Sequence, residues 1–202
     1  MPKWLLVRHG ETDWNLQARA QGQIDTPLNA TGLAQAERVA SRLESETFVA
    51  AYSSDLSRVV ETARPIMRGR DVPITTTKDL REKHFGDWEG MTFDEIRDKH
   101  RAGFNRMFSD DSDFAAPGGG ETDQDLCDRA AAFAERTRAA HPDDDLLIVA
   151  HGGTLRALIA SLINIPPAGM WRLRVDNTSL SVLTFFDNGS AVLTLLNDTN
   201  HL

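Results

Sequence analysis

Two short segments of the chain end in a histidine followed by a glycine. The first is the apolar run 4–7, which leads into Arg8-His9-Gly10, and the second is the apolar run 147–150, which leads into His151-Gly152. A neutral imidazole is a nucleophile and a proton carrier near pH 7. An arginine beside it adds a permanent charge and a planar fork of donors. These residue types suit phosphoryl transfer, which needs a nucleophile, cations around the phosphoryl oxygens and a proton for the leaving group.

The apolar runs before the two histidines predict buried strands, since each run is too short and too sharply bounded for a helix. In α/β proteins, ligands bind at the carboxyl edge of such strands. We therefore expect His9 and His151 to face one another at that edge, with Arg8 beside them.

The remaining elements follow in the order helix, strand, helix, strand, helices, strand, helix and hairpin. Helical spacing of apolar residues predicts helices around 33–43 and 56–67, the first with Leu33 on its buried face. Pro73 favours an edge position for the strand at 71–77. The turn sequence Asp187-Asn188-Gly189-Ser190 predicts a hairpin.

This order predicts the α/β class: three layers, with a mixed, mostly parallel sheet, helices on both faces and a C-terminal antiparallel hairpin. Residues 1–202 are expected to form a single domain. Within it, residues 84–121 are rich in aromatic, acidic and glycine residues, and we interpret them as a lid-like insertion, of which residues 101–121 are expected to be mobile. His84 is expected at the entrance of the pocket, whereas His141 and His201 are expected to be solvated.

Several segments, in a fixed order along the chain, resemble the motifs of the histidine phosphatase superfamily, the phosphoglycerate mutase-like proteins. The matching segments are Arg8-His9-Gly10-Glu11-Thr12 with Asn15, Ser53 to Arg58, Glu82, and His151-Gly152. Such a match implies the phosphoglycerate mutase-like fold and a phosphatase that works through a phosphohistidine intermediate.

The resemblance also implies roles for individual residues. It makes His9 the nucleophile and Glu82 the general acid and base, while Arg8, Arg58 and His151 bind the phosphoryl group. The substrate-binding residues that it implies are Asn15, Gln21, Gly22 and Gly152. Without the resemblance, Arg58 would be read as a solvated surface arginine, and Gln21-Gly22 could equally be a plain surface turn.

Alternatives within and outside this family stay open at this point. The spacing of 69 positions between Glu82 and His151 favours a compact phosphatase over a phosphoglycerate mutase-type phosphotransferase. The segment 170–176 is similar to α-ribazole phosphatases and to broad-specificity phosphatases. A catalytically inert sensor of phosphate ligands is a third interpretation.

The sequence predicts no metal or cofactor. The histidines lack the spacing of a zinc site, and no nucleotide-binding Gly-x-x-x-x-Gly-Lys segment occurs. Because Arg8, Arg58 and His151 can supply positive charge and hydrogen-bond donors, no metal ion is needed to offset the phosphate charge.

Composition limits the partners that we expect. The net charge of −8 argues against nucleic acid and anionic membranes, so the predicted partner is a small-molecule phosphate ester. A homodimer is possible but nothing in the sequence requires it.

The single cysteine, Cys127, excludes an internal disulfide and favours a cytoplasmic location, and we interpret it as a packed residue. No apolar stretch approaches the ~18 residues that a membrane span needs.

Overall fold

The computed structural model describes residues 1–202, and its strands alternate with helices along most of the chain. The strands are β1 (Lys3–Arg8), β2 (Ala50–Ser54), β3 (Ile74–Thr77), β4 (Leu146–Ala150), β5 (Leu180–Phe185) and β6 (Ala191–Asp198). The helices are α1 (Asp13–Leu16), α2 (Ala30–Arg42), α3 (Ser57–Ile66), α4 (Phe93–Lys99), α5 (Arg101–Met107), α6 (Asp123–Ala140) and α7 (Gly152–Leu162).

All six strands form one sheet in the order β3-β2-β4-β1-β5-β6. The first four of these are parallel to one another, whereas β5 pairs antiparallel with both β1 and β6. The predicted fold class is confirmed: the sheet is mixed and mostly parallel, and β5 and β6 form the expected C-terminal hairpin. The strand that follows Pro73 lies at an edge, as predicted.

Alternate residues of the central strands supply two separate hydrophobic cores, one on each side of the sheet. Trp4 and Leu6 of β1 face a core shared with α6 and α7. Leu5 and Val7 face the opposite core, shared with α2 and α3. Because side chains alternate along a strand, a strand covered on both faces must be apolar throughout. This burial explains the unbroken apolar runs before the two histidines.

The segment 84–121 encloses a third, smaller core. Trp88 is 1% exposed and belongs to a cluster of seven buried residues that includes Ile96 of α4 and Phe114. Thr92 caps α4 in a capping box with Glu95. The segment therefore packs around a core of its own beside the carboxyl edge of the sheet.

Three local predictions were wrong. Leu33 is 52% exposed, because Ala36 and Val39 form the buried face of α2 instead. His141 is not freely solvated: it bonds the Tyr52 hydroxyl at 3.0 Å and Asp144 at 3.1 Å. His201 bonds the Thr178 carbonyl at 3.0 Å, and its other ring nitrogen is buried.

Cys127 is buried beside Met170, and burial raises the pKa of its thiol to about 11. The thiol is therefore protonated at neutral pH, which agrees with the predicted packing role. None of the helices combines the length and the apolar character that crossing a membrane requires.

The turn that follows β1 is held by direct backbone contact with the start of α2. A Cβ atom on Gly10 would lie 2.6 Å from the Gly32 carbonyl oxygen, and a Cβ on Gly32 would overlap the Glu11 carbonyl. Asn29 reinforces this contact, since its N–H and side-chain amide donate to Glu11. Small residues at both positions therefore let α2 fix the turn that carries His9.

We expect Gly32→Ala to lower the free energy of unfolding by about 1–3 kcal/mol, the usual cost of overpacking. Thr31→Ala, an exposed neighbour on the same helix, is the matched control and should change it by less than about 0.5 kcal/mol. Urea unfolding of both variants measures the difference. Equal stabilities for Gly32→Ala and the control would show that the turn does not depend on this contact.

Candidate active site

His9 and His151 follow neighbouring parallel strands at the same register. Arg8 of β1 lies opposite Ala150 of β4, and the His9 N–H donates to the Ala150 carbonyl at 2.9 Å. The two imidazole rings are 5.2 Å apart between centroids and meet edge to face at 64°. The predicted meeting of the two histidines is confirmed, with edge-to-face geometry.

The orientation of the His9 ring fixes which of its nitrogens is free. Nδ1 lies 2.7 Å from the carbonyl oxygen of Gly10. A carbonyl oxygen can only accept, so Nδ1 carries the proton and Nε2 keeps its lone pair. The Gly10 N–H in turn donates to the Thr62 hydroxyl of α3 at 2.9 Å, which anchors the residue that orients the ring. His9 therefore has a free lone pair on Nε2.

His151 has one partnered and one unpartnered nitrogen. Nε2 lies 2.9 Å from the Ser54 hydroxyl at the end of β2, while Nδ1 is buried without a protein partner. If Ser54 donates to Nε2, a neutral His151 carries its proton on Nδ1 and can donate it to an anion. A neutral His151 can thus serve as a hydrogen-bond donor.

Both imidazoles are neutral in the free protein. Burial, together with the charges of Arg8 and Arg58, holds the pKa of His9 well below its usual range. Burial and the charge of Arg58 do the same to the pKa of His151. A neutral His9 is the form that can attack phosphorus.

The two arginines are held by carbonyl oxygens, and the Nε of each is buried without a protein partner. Arg8 donates through Nη1 to the Val175 carbonyl at 2.8 Å, and its Nε is buried without a partner. Arg58 donates to the carbonyls of Ile24 at 2.8 Å and Gly22 at 2.9 Å, and its Nε is also buried and unpartnered. Burial lowers the pKa of each arginine to about 10, so both stay charged at neutral pH.

This arrangement modifies the expectation for Arg58. The side chain is fully buried and does not lie on the solvated surface. Its two terminal nitrogens each donate one hydrogen bond to a carbonyl of the loop after Gln21, whereas Nε has no partner in the protein.

Glu82 is fixed at the amino end of α7. Its carboxylate accepts the N–H of Gly153 at 3.1 Å and the N–H of Lys83 at 2.8 Å. A Cβ atom on Gly153 would overlap that carboxylate, so a larger residue there would displace the Glu82 side chain. Arg129 of α6 holds the backbone of the same loop, since it donates to the carbonyls of Asp79 and Arg81 and pairs with Glu121.

A cavity of about 220 Å³ opens over these groups. Seven of its lining residues were predicted from the sequence: Arg8, His9, Asn15, Gln21, Gly22, Glu82 and Gly152. The side-chain carbonyl of Gln21 accepts a hydrogen bond from the Thr26 hydroxyl at 2.8 Å. Arg58 and His151 are fully buried and lie outside this lining. A larger groove of about 480 Å³ between α2 and α3 contains none of the predicted site residues.

The structure adds residues that the sequence analysis missed. The same cavity is lined by Arg19, Phe85, Phe93, Arg156 and Trp171. Asn177 donates to the His9 carbonyl at 2.9 Å from 168 positions away. The segment 170–176 had been noticed only for its resemblance, and Asn177 directly follows it. His84, expected at the entrance, instead bonds the Gly119 carbonyl and does not line the cavity.

No group of three or more His, Cys, Asp or Glu side chains is arranged to hold a metal ion. Arg8, Arg58, His9 and His151 supply nitrogen donors at the site instead. Such a set fits an oxyanion such as phosphate, because each donor is positive or can donate a hydrogen bond.

Comparison with known proteins gives a consistent result. Residues 4–199 match the family model of the histidine phosphatase superfamily, branch 1. The chain is 36% identical to the metal-independent phosphoserine phosphatase of Arabidopsis thaliana, over 98% of this chain and 82% of that protein. It is 35% identical to the adenosylcobalamin/alpha-ribazole phosphatase of Salmonella typhimurium, over 98% of this chain and 96% of that one. The solved structure of YhfR from Bacillus stearothermophilus superposes with a TM-score of 0.91 at 34% identity, over 100% of this chain and 99% of that chain.

The depressed pKa values of the two buried imidazoles predict how stability depends on pH. Unfolded histidines take up protons below about pH 6.5, whereas His9 and His151 stay neutral in the folded state. The unfolded state then binds more protons, so stability falls as the pH falls below about 6.5, by up to about 1.4 kcal/mol per pH unit for each imidazole.

Replacing both histidines, as His9→Gln with His151→Asn, should therefore flatten the pH dependence of the urea midpoint between pH 6.5 and 5. His100→Gln removes an exposed histidine and is the control, which should keep the wild-type slope. An unchanged slope in the double variant would mean that the buried imidazoles titrate normally.

Proposed function

The chain belongs to the histidine phosphatase superfamily and is a phosphatase, and from that premise we propose that it hydrolyses a small phosphorylated metabolite through a phosphohistidine on His9, without a metal ion. One observation carries the proposal. Three buried nitrogens that lack protein partners, Arg8 Nε, Arg58 Nε and His151 Nδ1, belong to the residues grouped around His9. Buried donors are rarely left unpaired in native proteins, so this cluster points to an anionic ligand.

The first step transfers the phosphoryl group to the enzyme. The lone pair of His9 Nε2 attacks phosphorus, the bond between phosphorus and the ester oxygen breaks, and Glu82 gives that oxygen a proton. The arginines hold the phosphoryl oxygens, and their fixed positions mean that little reorganisation is needed as charge moves. The Gly10 carbonyl keeps the proton on Nδ1 and stabilises the positive ring that forms.

The second step returns the enzyme to its starting state. A water molecule attacks phosphorus, the bond between phosphorus and nitrogen breaks, and the Glu82 carboxylate takes the proton of the water. Inorganic phosphate leaves and His9 is neutral again. Glu82 thus serves as general acid in the first step and as general base in the second, because it gives up a proton in one and takes up a proton in the other.

The resemblance suggests two classes of substrate: α-ribazole phosphate, or a broad set of small phosphate esters. The relatives carry different substrate names at nearly equal identity, so their names do not decide between these classes. Assaying a collection of cellular phosphate esters would distinguish one strong preference from broad activity. Recovery of phosphate on an added acceptor alcohol, in place of inorganic phosphate, would instead favour the phosphotransferase alternative.

The covalent intermediate is tested directly by rapid quenching without acid. We expect labelled phosphate on the tryptic peptide 9–19, no activity in His9→Ala, and an unchanged rate in excess chelator. Label on Ser53, Ser54 or on no residue would contradict the covalent scheme. Loss of activity in chelator, restored by a divalent cation, would contradict the metal-independent one.

The role of Glu82 is tested by comparing leaving groups. An alkoxide needs a proton as it leaves, whereas p-nitrophenolate is already stable. We expect Glu82→Gln to slow the first step about 10²–10⁴-fold for an alkyl phosphate and much less for p-nitrophenyl phosphate. Single-turnover kinetics are required, because the second step also uses Glu82.

Asp87→Asn is the matched control for this comparison. Asp87 lies in the same loop, is exposed, and does not line the cavity. It should behave like the wild type with both substrates. Equal losses for the alkyl and aryl esters in Glu82→Gln would remove Glu82 from the role of general acid.

A further inference from the structure

Arg156 is a cation of the cavity that the proposed reaction does not use. It lies one turn into α7, and its Nε donates to the Leu173 carbonyl at 2.7 Å. Its two terminal nitrogens have no hydrogen-bond partner in the protein, and no carboxylate forms an ion pair with it. A guanidinium held at the wall of a cavity with its fork free is suited to bind an anion.

The position of Arg156 is fixed by an aromatic ring and a buried ion pair. Its guanidinium lies over the ring of Trp171, 5.5 Å from the centroid. The indole N–H of Trp171 donates to Asp123 at 2.8 Å, and the other oxygen of Asp123 pairs with Lys83. Lys83 and Asp123 are only 3% and 4% exposed. This chain of contacts orients the fork before any ligand arrives, which lowers the entropy cost of binding.

Arg156 also lies close to the phosphate-binding donors. A Cβ atom on Gly152 would lie 2.9 Å from Nη1 of Arg156 and 3.3 Å from Nε of Arg8. Glu82 lies nearby, since its carboxylate accepts the N–H of Gly153, the residue that follows Gly152. Because Glu82 protonates the leaving oxygen in the proposed function, this places Arg156 near the alcohol part of the ester.

We propose that Arg156 binds a carboxylate on the alcohol part of the substrate, so that the preferred substrates are phosphorylated hydroxy acids. This inference rests on the proposed phosphatase function. The phosphoryl oxygens already have Arg8, Arg58 and His151 as partners, so a further fork beside them serves a second anionic group. A carboxylate fits because it is planar and matches the guanidinium fork, and because a cavity of about 220 Å³ accepts only a small ester.

Two pairs of esters test what the carboxylate contributes to substrate preference. Phosphoserine differs from phosphoethanolamine by that group alone, and 3-phosphoglycerate differs from glycerol 3-phosphate by a carboxylate in place of a hydroxymethyl group. Within each pair the leaving oxygen is a similar alkoxide. We expect the wild type to favour the acid in at least one pair, with the preference expressed mainly in KM.

Arg156→Gln should lower the ratio of kcat/KM between acid and partner ester about 10- to 100-fold, the effect of losing charge-assisted hydrogen bonds. Arg156→Lys keeps the charge but loses the fork, so its ratio should fall between that of the wild type and that of Arg156→Gln. Arg172→Gln is the matched control: Arg172 is an exposed neighbour of Trp171 that pairs only with Asp110, and the ratio should match the wild type.

Two outcomes would overturn the proposal. One is a wild-type enzyme that favours the acid in neither pair. The other is an Arg156→Gln variant that loses the same factor for both members of a pair, which would place Arg156 on the phosphoryl group or on Glu82. Hydrolysis of p-nitrophenyl phosphate is measured alongside. If the wild type hydrolyses none of the esters, it is the proposed function that fails, and the two failures are thereby distinguished.

Discussion

Two arginines and two histidines are gathered at the carboxyl edge of the sheet, and none of them has a carboxylate as an ion-pair partner. Arg58, His9 and His151 are buried, and Arg8 borders the cavity with its Nε buried. Taking cations out of water and placing them side by side is unfavourable. Carbonyl dipoles from Val175, Ile24 and Gly22 offset part of that cost. A bound phosphate would offset the rest, so the fold is preorganised for an oxyanion before one binds.

The same constraint explains the neutral histidines. Burial makes protonation of either imidazole unfavourable, the adjacent arginine charges add to the effect, and the pKa values of His9 and His151 fall. In the proposed function, this keeps His9 in its nucleophilic form. The Gly10 carbonyl orients the ring of His9. The hydrogen bond to Thr62 and the close approach of Gly32 hold Gly10 in place. The reactivity of one nitrogen thus depends on packing between β1, α2 and α3.

Much of the fold and part of the site could be predicted from the sequence, because they are encoded locally. The apolar runs before His9 and His151 reveal strands that are buried on both faces, and the carboxyl-edge rule then places both imidazoles together. Residues such as Asn177 and Arg156 could not be found this way. Their contacts join positions far apart in the chain, and no periodic pattern identifies an arginine with a free fork. The pairing of β1 with β5 is equally non-local. For Arg58 the family resemblance indicated a place at the active site. It did not show that loop carbonyls accept hydrogen bonds from both of its terminal nitrogens.

The most direct test of this account is a crystal structure of the protein with vanadate, an analogue of the phosphoryl group in transfer. We predict vanadium in line with Nε2 of His9 and its equatorial oxygens within hydrogen-bond distance of Arg8 Nε, Arg58 Nε and His151 Nδ1, while Nδ1 of His9 stays on the Gly10 carbonyl. Vanadate bound elsewhere, or bound at the site while those three nitrogens remain unpartnered, would contradict the claim that the buried donors are arranged for phosphate.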